Sequence, residues 1–339
     1  MRIAVTGSVA TDHLMVFPGR FTDQLLADSL DKVSLSFLVD TLDIRRGGVA
    51  ANIALGLGRL GGSPLLVGAV GADFREYRCW LEAHGVDTRW IHVSETRHTA
   101  RFLCTTDDHG NQIASFYPGA MSEARAIRLR PVAEAAGGLD LVLISPNDPE
   151  AMLRHTEECR ANGYPFAADP SQQLATLEGD AIRSLVNGAA YLFTNEYERD
   201  LLLSKAGWTS AEVLGRVGSW ITTLGVNGVR IESAGQPAIT VDAVPDRGSV
   251  DPTGVGDGFR AGFLSGLAWR LPTVRAAQVG CLLATVVLEA RGAQEYELDP
   301  DTFVKRMDEA YGPEAAVDVE PMINVVRDHT EALHVLGYN

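Results

Sequence analysis

The segment Asp251-Pro-Thr-Gly-Val-Gly-Asp257-Gly-Phe has residue types and a spacing that suit both anion binding and proton transfer. It follows the strand-like run Ile239–Val244 and precedes a helical pattern, Phe259–Leu267. The free N–H groups and the dipole at a helix N-terminus attract anions. Gly254 and Gly256 would let the backbone approach an oxyanion without a Cβ clash. The segment therefore predicts a turn that can hold a phosphate.

Asp257 would lie at the rim of this turn, where a carboxylate can take a proton from an attacking hydroxyl. The N–H groups of Gly254, Val255, Gly256 and Asp257 would then stabilise charge on a transferring group. An ordinary helix start fits the same residues, because aspartate is a favoured N-cap. The motif taken alone leaves both interpretations open.

The elements that must position this turn follow a βα rhythm, in which short apolar runs alternate with amphipathic helical stretches such as Glu150–Ala161 and Asp180–Asn187. This rhythm predicts a mostly parallel sheet with helices on both faces. The apolar runs that we interpret as buried strands are Ile3–Thr6, Leu65–Val70, Leu139–Ser145, Phe166–Asp169, Tyr191–Thr194 and Trp220–Leu224.

Two regions break the rhythm, because Val33–Arg46 and His98–Tyr117 alternate apolar and polar residues with a period of two. Such strands are typical of an antiparallel sheet with one solvated face. We interpret them as a small β lid that covers a site. A peripheral β-meander without a role is the alternative.

The chain resembles the ribokinase-like (PfkB-type) carbohydrate kinases over about residues 1–312. Their signature D-T-x-G-A-G-D is matched by the Asp251–Asp257 segment, with Pro252 and Val255 as departures. Three further elements match in the family's order: Gly47-Gly48-Val-Ala-Ala-Asn52, Asn195-Glu-Tyr-Glu198 and Thr223-Leu-Gly-Val-Asn-Gly228. The resemblance implies a single α/β domain over residues 1–339, with a three-layer core, a mostly parallel sheet and a small β-sheet lid from about residues 13–46 and 98–120.

Within the family the chain is most similar to the bacterial adenosine kinases, which implies transfer of the ATP γ-phosphate to the 5′-hydroxyl of adenosine. A ribokinase-like kinase for another nucleoside or for a free sugar is the alternative. Phe102 and Phe116 would stack on the adenine, and Gln172 and Gln173 would face the base edge. The phenylalanines could instead pack the lid, and the glutamines could be exposed loop residues. The resemblance assigns the ribose side to Ser8, Asp12, Ser36, Gly48 and Asn52.

The resemblance also implies an ATP side, with Mg²⁺ held near Asn195 and Glu198 through water. A monovalent cation such as K⁺ is left open as an activator. Asp257 would be the general base and would also contact the substrate hydroxyl. The ATP contacts implied are Asn195, Thr223, Leu224, Gly225, Val226, Asn227, Gly228 and Gly256.

Competing motifs are weaker. Gly56-Leu-Gly58-Arg-Leu-Gly61 matches G-x-G-x-x-G, but it ends a helical pattern instead of following a strand, which argues against a dinucleotide fold. No G-x-x-x-x-G-K-[ST] element occurs. His155 and Cys159 lie four apart on a predicted helix without further ligands. A non-catalytic nucleotide-binding regulator is the alternative from a different class, and the carboxylate of Asp257 argues against it.

Composition limits the partners of this protein. The 339 residues are 46% hydrophobic, which is typical of a globular chain, and the formal net charge of −15 argues against nucleic-acid and anionic-membrane partners. Four scattered cysteines suit a reducing cytoplasm. We therefore expect a cytoplasmic protein. Composition does not fix the assembly, but the resemblance implies a homodimer through the lid, since lids of this family sometimes build dimers.

Overall fold

The computed structural model describes residues 1–24 and 36–335, with side chains described up to residue 324. The predicted lid stretch Val33–Arg46 thus begins outside the described residues. The described strands are β1 (Ile3–Thr6), β2 (Ala10–Phe17), β3 (Thr41–Gly47), β4 (Leu65–Val70), β5 (Ile91–Val93), β6 (Ala100–Asp107), β7 (Gln112–Tyr117), β8 (Leu141–Ile144), β9 (Phe166–Ala168), β10 (Tyr191–Asn195), β11 (Ser219–Thr223), β12 (Val229–Glu232) and β13 (Ile239–Val241).

Helices alternate with most of these strands, as the βα rhythm predicts. The described α-helices are α1 (Val49–Arg59), α2 (Arg75–Ala83), α3 (Leu129–Ala136), α4 (Pro149–Asn162), α5 (Gly179–Val186), α6 (Glu196–Ala206), α7 (Ser210–Leu214), α8 (Val255–Ala268), α9 (Thr273–Leu288), α10 (Pro300–Tyr311) and α11 (Pro313–Val335).

The large sheet is the middle of three layers. Its strand order is β13-β12-β11-β10-β9-β8-β1-β4-β5. Neighbours are parallel except that β12 runs antiparallel to both β11 and β13. Successive residues of β1 enter opposite cores, since Ile3 and Val5 pack with α1, α8 and α9 while Ala4 packs with α3, α4 and α5. The predicted α/β core with a mostly parallel sheet is confirmed.

Glycines allow α8 to lie unusually close to its neighbours. A Cβ on Gly56 of α1 would lie 2.6 Å from the Cβ of Ala261, and one on Gly262 would lie 2.6 Å from the carbonyl oxygen of Val279 on α9. Gly56 of the G-x-G-x-x-G segment is therefore a helix-packing residue, and the segment lies within and just after α1. This contact also brings the first turns of α1 and α8 together.

A separate four-stranded sheet, β3-β2-β6-β7, forms what we call the lid. Its strand β2 begins at Ala10, before the predicted start of the lid, so Asp12 is itself a lid residue. Residues 36–40 form no strand although they continue the alternating pattern. The reason is packing, because the ring of Phe37 lies against those of Phe17 and Phe21.

The C-terminal segment after Gly312 is a long helix, α11. Ala315, Val319 and Ile323, spaced four apart, are fully buried against the main core. In the part of the chain that is described, no helix combines the length and the apolar character needed to cross a membrane.

Candidate active site

The site lies where parallel strands of the large sheet end. Ser8 follows β1, Asp169 follows β9, Asn195 ends β10 and Thr223 ends β11. Carboxyl ends of parallel strands share one edge, and ligands of open α/β sheets bind in the crevice outside that edge. The helices α1 and α8 begin at the same edge, so their N–H groups add to the polar surface.

A cleft of about 540 Å³ opens at this edge. The cleft is lined by residues of the signature turn, as we call Asp251–Asp257, and by predicted ATP-side residues. Gln172 also lines it. The predicted residues that line it are Gln172, Asn195, Glu198, Thr223, Gly225, Gly256 and Asp257.

The remaining residues of the predicted ATP loop do not line this cleft. Val226 is 90% exposed in a short turn formed by Gly225–Asn227, which follows Leu224. Gly228 closes the turn with φ of 84°, and a Cβ there would lie 2.0 Å from the carbonyl oxygen of Val241. Its glycine is therefore explained by the turn itself.

Asp257 faces the cleft from the first turn of α8, where it is half-buried. Its Oδ2 accepts a hydrogen bond of 2.8 Å from the Nδ2 of Asn52. Burial raises the pKa of Asp257 to about 7, against the lowering effects of the Asn52 hydrogen bond and of Arg260. The N-cap of α8 is Gly254, so Asp257 is not the cap. A carboxyl group with this pKa can act as a general base near neutral pH.

The turn before α8 presents free N–H groups. Gly254 has φ of 78°, and a Cβ there would lie 2.4 Å from the Cβ of Ala293. The N–H of Val255 bonds weakly to the carbonyl of Pro252, at 3.4 Å. Within the described residues, the N–H groups of Gly256 and of the residue after it have no acceptor. They can bind an anion, as the first turn of a helix commonly does.

A buried ion pair supports the turn from beneath. The guanidinium of Arg260 binds both carboxylate oxygens of Asp169, at 2.6 and 2.7 Å, and its Nη1 donates to the carbonyl of Gly256 at 3.1 Å. Ser171 donates to the same carboxylate at 2.7 Å. We did not predict this pair. The sequence features that could have indicated the pair are an arginine within an apolar helical pattern and an aspartate directly after a buried strand.

The Gly47-Gly48 element turns the chain from the lid into α1. A Cβ on Gly48, whose φ is 95°, would lie 2.6 Å from the backbone nitrogen of Ala10. The Oγ of Ser8 accepts the N–H of Val49 at 3.1 Å and so anchors the start of α1. These contacts give Ser8 and Gly48 a structural role whatever they bind.

Asp12 projects from the lid with no hydrogen-bond donor to its carboxylate among the described residues. Burial raises its pKa to about 6, and the neighbouring Arg45 opposes that rise. Arg45, its register partner on β3, donates to Asp251 at 3.1 Å and to Asp43 at 2.8 Å. The lid face that carries Asp12 is therefore turned toward the signature turn. Arg45 is a site residue that the sequence did not reveal.

Phe102 and Phe116 lie beside Asp12 on this same lid face. Phe102 is the register partner of both Asp12 on β2 and Phe116 on β7. Phe102 is half-buried, and Phe116 is 50% exposed. The three side chains thus form a row across three strands, which offers one carboxylate and two apolar rings to the space below the lid.

The two glutamines differ in their surroundings. Gln172 is exposed in the cleft, whereas the amide of Gln173 donates to the carbonyl of Asn147 at 2.8 Å and accepts from Thr176 at 2.9 Å. Ser36 is exposed and is the first described residue after the gap. Neither Gln173 nor Ser36 lines the cleft.

Asn195 and Glu198 form a capping box at the start of α6. Each side chain accepts the backbone N–H of the other, at 2.7 and 2.8 Å. Burial raises the pKa of Glu198, and one of its carboxylate oxygens has no partner among the described residues. No group of three or more His, Cys, Asp or Glu side chains in the described ranges could hold a metal ion.

His155 and Cys159 are buried structural residues of α4. The ring of His155 is hydrogen-bonded to the hydroxyl of Thr6 at 3.0 Å and to the carbonyl of Ile127 at 3.3 Å. Burial lowers the pKa of His155 to about 4. This histidine therefore packs the interior.

The fold and the site together define an α/β phosphotransferase architecture, and comparison with known proteins identifies the family. Residues 6–299 match the pfkB family carbohydrate kinase. The chain belongs to this family of ribokinase-like kinases.

Among relatives, a nucleoside kinase of Methanothermobacter thermautotrophicus is 32% identical over 298 residues, which cover 86% of this chain and 93% of the relative. The structure of Burkholderia thailandensis nucleoside kinase in complex with inosine is 32% identical, with a TM-score of 0.79, and covers 92% of this chain and 98% of its own. The nucleoside kinase of Methanocaldococcus jannaschii has a TM-score of 0.80 at 25% identity, covering 91% and 99%.

Proposed function

We propose that this protein is an ATP-dependent nucleoside kinase that transfers the γ-phosphate of ATP to the 5′-hydroxyl of adenosine and releases AMP and ADP. The observation that carries the proposal is the half-buried Asp257, bound by Asn52 at a helix N-terminus that has free N–H groups. The row formed by Asp12, Phe102 and Phe116 supports a substrate with both a sugar and a flat base. The nucleoside kinases among the relatives support the same substrate class.

In the proposed reaction the 5′-hydroxyl gives its proton to the carboxylate of Asp257 as its oxygen attacks the γ-phosphorus. The bond between that phosphorus and the β,γ-bridging oxygen breaks, and ADP leaves. Backbone N–H groups from Gly254 to Asp257 stabilise the charge on the transferring group, as oriented donors do in a preorganised site. The charge of Arg260 beneath the turn adds to this stabilisation. The lid limits access of water to the phosphate.

Mg²⁺ fits the ATP side of the cleft without a cage of protein ligands. Mg²⁺ commonly binds substrate phosphates, several waters and only one or two carboxylates. Glu198 has one carboxylate oxygen without a partner, and Asn195 fixes its position through the capping box. We therefore propose that Glu198 and Asn195 hold the hydrated ion. When bound, it would neutralise charge on the ATP phosphates.

On the nucleoside side, we propose that Asp12 accepts hydrogen bonds from ribose hydroxyls, since its carboxylate has no donor among the described residues. Asn52 lies near the same sugar and has a second amide hydrogen for it. Ser8, Ser36 and Gly48 complete the ribose surroundings in this proposal. Gln172 and Gln173 are proposed for the base edge, with Gln172 the more available because its amide has no protein partner in the described residues.

The identity of the nucleoside is the finer part of the proposal. The relative in complex with inosine makes inosine the nearest competitor of adenosine. A panel of adenosine, inosine, guanosine and ribose, assayed with ATP and Mg²⁺ in the presence and absence of K⁺, separates these acceptors. Turnover of ribose alone would favour a free-sugar kinase. A complete lack of turnover with binding retained would favour the regulator alternative.

Phe102→Ala and Phe116→Ala are each expected to raise KM for adenosine by roughly 5- to 150-fold, because base–aromatic stacking contributes about 1–3 kcal/mol per base. A free pentose has no aromatic face, so activity on ribose should change little. The measurement is kcat/KM for adenosine and ribose in both variants.

Tyr117→Ala is the matched control, because Tyr117 neighbours Phe116 on β7 but faces the other side of the lid. Its KM for adenosine should match that of the wild type. Equal losses on adenosine and ribose, together with a lower Tm, would show that the phenylalanines only pack the lid. That result would leave adenosine without support.

We also propose a homodimer through the lid. The lid face opposite Asp12 exposes a group of apolar side chains, and exposed apolar patches often mark association sites. Sedimentation velocity tests this proposal, which a monomer at micromolar concentration would contradict. The exposed side chains on that face are Leu42, Ile44, Ile113 and Tyr117.

A further inference from the structure

Gln294 lies in the loop after α9 and is fully buried. Its Nε2 donates two hydrogen bonds, one of 2.8 Å to the Oδ1 of Asn52 and one to the hydroxyl of Tyr77. Its Oε1 is also buried and has no partner among the described residues. A buried amide that leaves its own oxygen unpaired to place its nitrogen here is unusual, since buried polar atoms are nearly always paired.

The direction of this hydrogen-bond chain is fixed from its far end. The carbonyl oxygen of Gly47 can only accept, so the hydroxyl of Tyr77 donates to it, at 2.9 Å. The hydroxyl of Tyr77 must then accept a hydrogen bond from Gln294, so the atom of Gln294 that faces it is the nitrogen Nε2. The second hydrogen of this Nε2 is left for Asn52. The Oδ1 of Asn52 is thereby occupied, and its Nδ2 must point to Asp257. If the Oδ1 and Nδ2 of Asn52 exchanged places, two hydrogen-bond donors, Nδ2 of Asn52 and Nε2 of Gln294, would face each other.

The same loop holds the other end of the signature. The N–H of Gly292 donates to Asp251 at 3.1 Å, and Ala293 packs directly beneath Gly254. The loop therefore contacts the beginning of the signature through the backbone of Gly292 and its middle through Ala293. It acts on Asp257 through Gln294 and Asn52.

We propose that Gln294 is a positioning residue of the phosphotransfer site: it orients the amide of Asn52 so that Asp257 is bound through Oδ2, leaving Oδ1 for the acceptor hydroxyl. The Oδ1 of Asp257 has no donor in the described part of the chain, which is consistent with this division. The inference rests on the proposed function, because it assumes that Asp257 is the base.

Other charged groups also act on Asp257. Arg260 lies on the same helix, Asp169 follows β9 and Asp12 reaches in from the lid. Tyr296, two residues beyond Gln294, lies near Asp257, but burial raises the pKa of Tyr296 to about 12, so it stays uncharged over the pH range of interest. None of these groups is altered by a substitution at Gln294, so a change in the titration of Asp257 would report on the amide chain.

The test is the pH profile of kcat/KM, which reports the free enzyme. Gln294→Met keeps the approximate shape but removes both donors. The acid limb is the part of the profile in which kcat/KM rises as Asp257 loses its proton. In the variant it should move to higher pH by about one unit or more, because the ionised form of Asp257 is less well bound. At a given pH on this limb, the shift is a roughly 10-fold loss of activity. Gln294→Glu should shift the limb further, since an acceptor there pulls the amide of Asn52 away and adds negative charge.

Tyr296→Phe is the matched control, because it removes a buried hydroxyl of the same loop that pairs with Arg59 and leaves Asn52 untouched. Its limb should coincide with that of the wild type. If Gln294→Met also keeps the wild-type limb, Gln294 only packs the loop and the inference is wrong, whatever happens to Tm.

A measurement on the wild type covers variants that fail to fold. The side-chain amide signals of Asn52 and Gln294 in ¹⁵N spectra should exchange slowly with solvent, and that of Asn52 should shift as Asp257 titrates. Fast exchange or a pH-independent Asn52 signal would overturn the inference.

The variant Asp257→Asn separates a failure of the role proposed for Asp257 from a failure of the inference about Gln294. If it keeps full turnover, the assignment of Asp257 as the base fails, whereas loss of turnover with an unmoved limb in Gln294→Met rejects the inference alone.

Discussion

Replacing Asp257 by asparagine is expected to lower kcat by at least the ~10²–10⁴-fold typical of removing a general base. The amide has nearly the same shape and can still pair with Asn52, but it cannot accept the hydroxyl proton. Nucleoside affinity should therefore change little. Steady-state kinetics with a saturating nucleoside and ATP measure the effect, and Asp180→Asn, an acidic residue in the first turn of α5, is the matched control.

The same substitution lowers kcat but should increase the stability of the folded protein at high pH. The pKa of Asp257 is raised to about 7, so between about pH 4 and 7 the folded protein keeps a proton that the unfolded chain releases. The free energy of unfolding of the wild type therefore falls as the pH rises through this range. Asparagine does not titrate, so this fall is absent in the variant. The Tm of the variant minus that of the wild type should therefore be larger at pH 8 than at pH 5.

Wild-type kcat in Asp257→Asn would contradict the role of Asp257 as base. An unchanged Tm difference across this pH range would show that Asp257 is ionised in the folded protein well below pH 7. The first result concerns the chemistry and the second concerns the electrostatics, so the two can be separated.

Gly256→Val is expected to lower kcat by roughly 10²–10³-fold, the typical effect of losing one oriented donor to a developing oxyanion. A Cβ at this position meets only the Nη1 of Arg260, at 3.2 Å, so the backbone can keep its conformation. The branched side chain instead fills the space above the turn where the phosphate must lie. Turnover is measured beside a melting curve.

Gly256→Ala provides a graded comparison, because its single methyl group occupies less of the same space. Its loss of activity should be smaller than that of the valine variant, with a similar Tm. Full activity in a folded Gly256→Val protein would mean that the turn does not bind the transferring phosphate.

Local sequence motifs predicted where several elements of the candidate site lie. The signature turn, the Gly47-Gly48 turn and the capping box at Asn195 are all set by neighbouring residues, so their positions at strand and helix ends could be read from the sequence. The register of Phe102 with Asp12 could not, because it depends on which lid strands pair. Alternation indicates a strand but does not name its partner.

Residues that act over long separations in the chain were missed for the same reason. Arg45 and Asp251 are 206 positions apart, and Gln294 is 242 positions from Asn52. No local pattern marks such contacts, which exist only once the lid and the loop after α9 have packed against the core.

The most direct test of the central claim is identification of the product by ³¹P NMR after incubating the wild-type protein with adenosine, ATP and Mg²⁺. The account predicts equal amounts of ADP and a nucleoside 5′-monophosphate, with Asp257→Asn as the blank and ribose as a much poorer acceptor. ADP formed without a phosphorylated nucleoside, or efficient phosphorylation of ribose in place of every nucleoside offered, would contradict it.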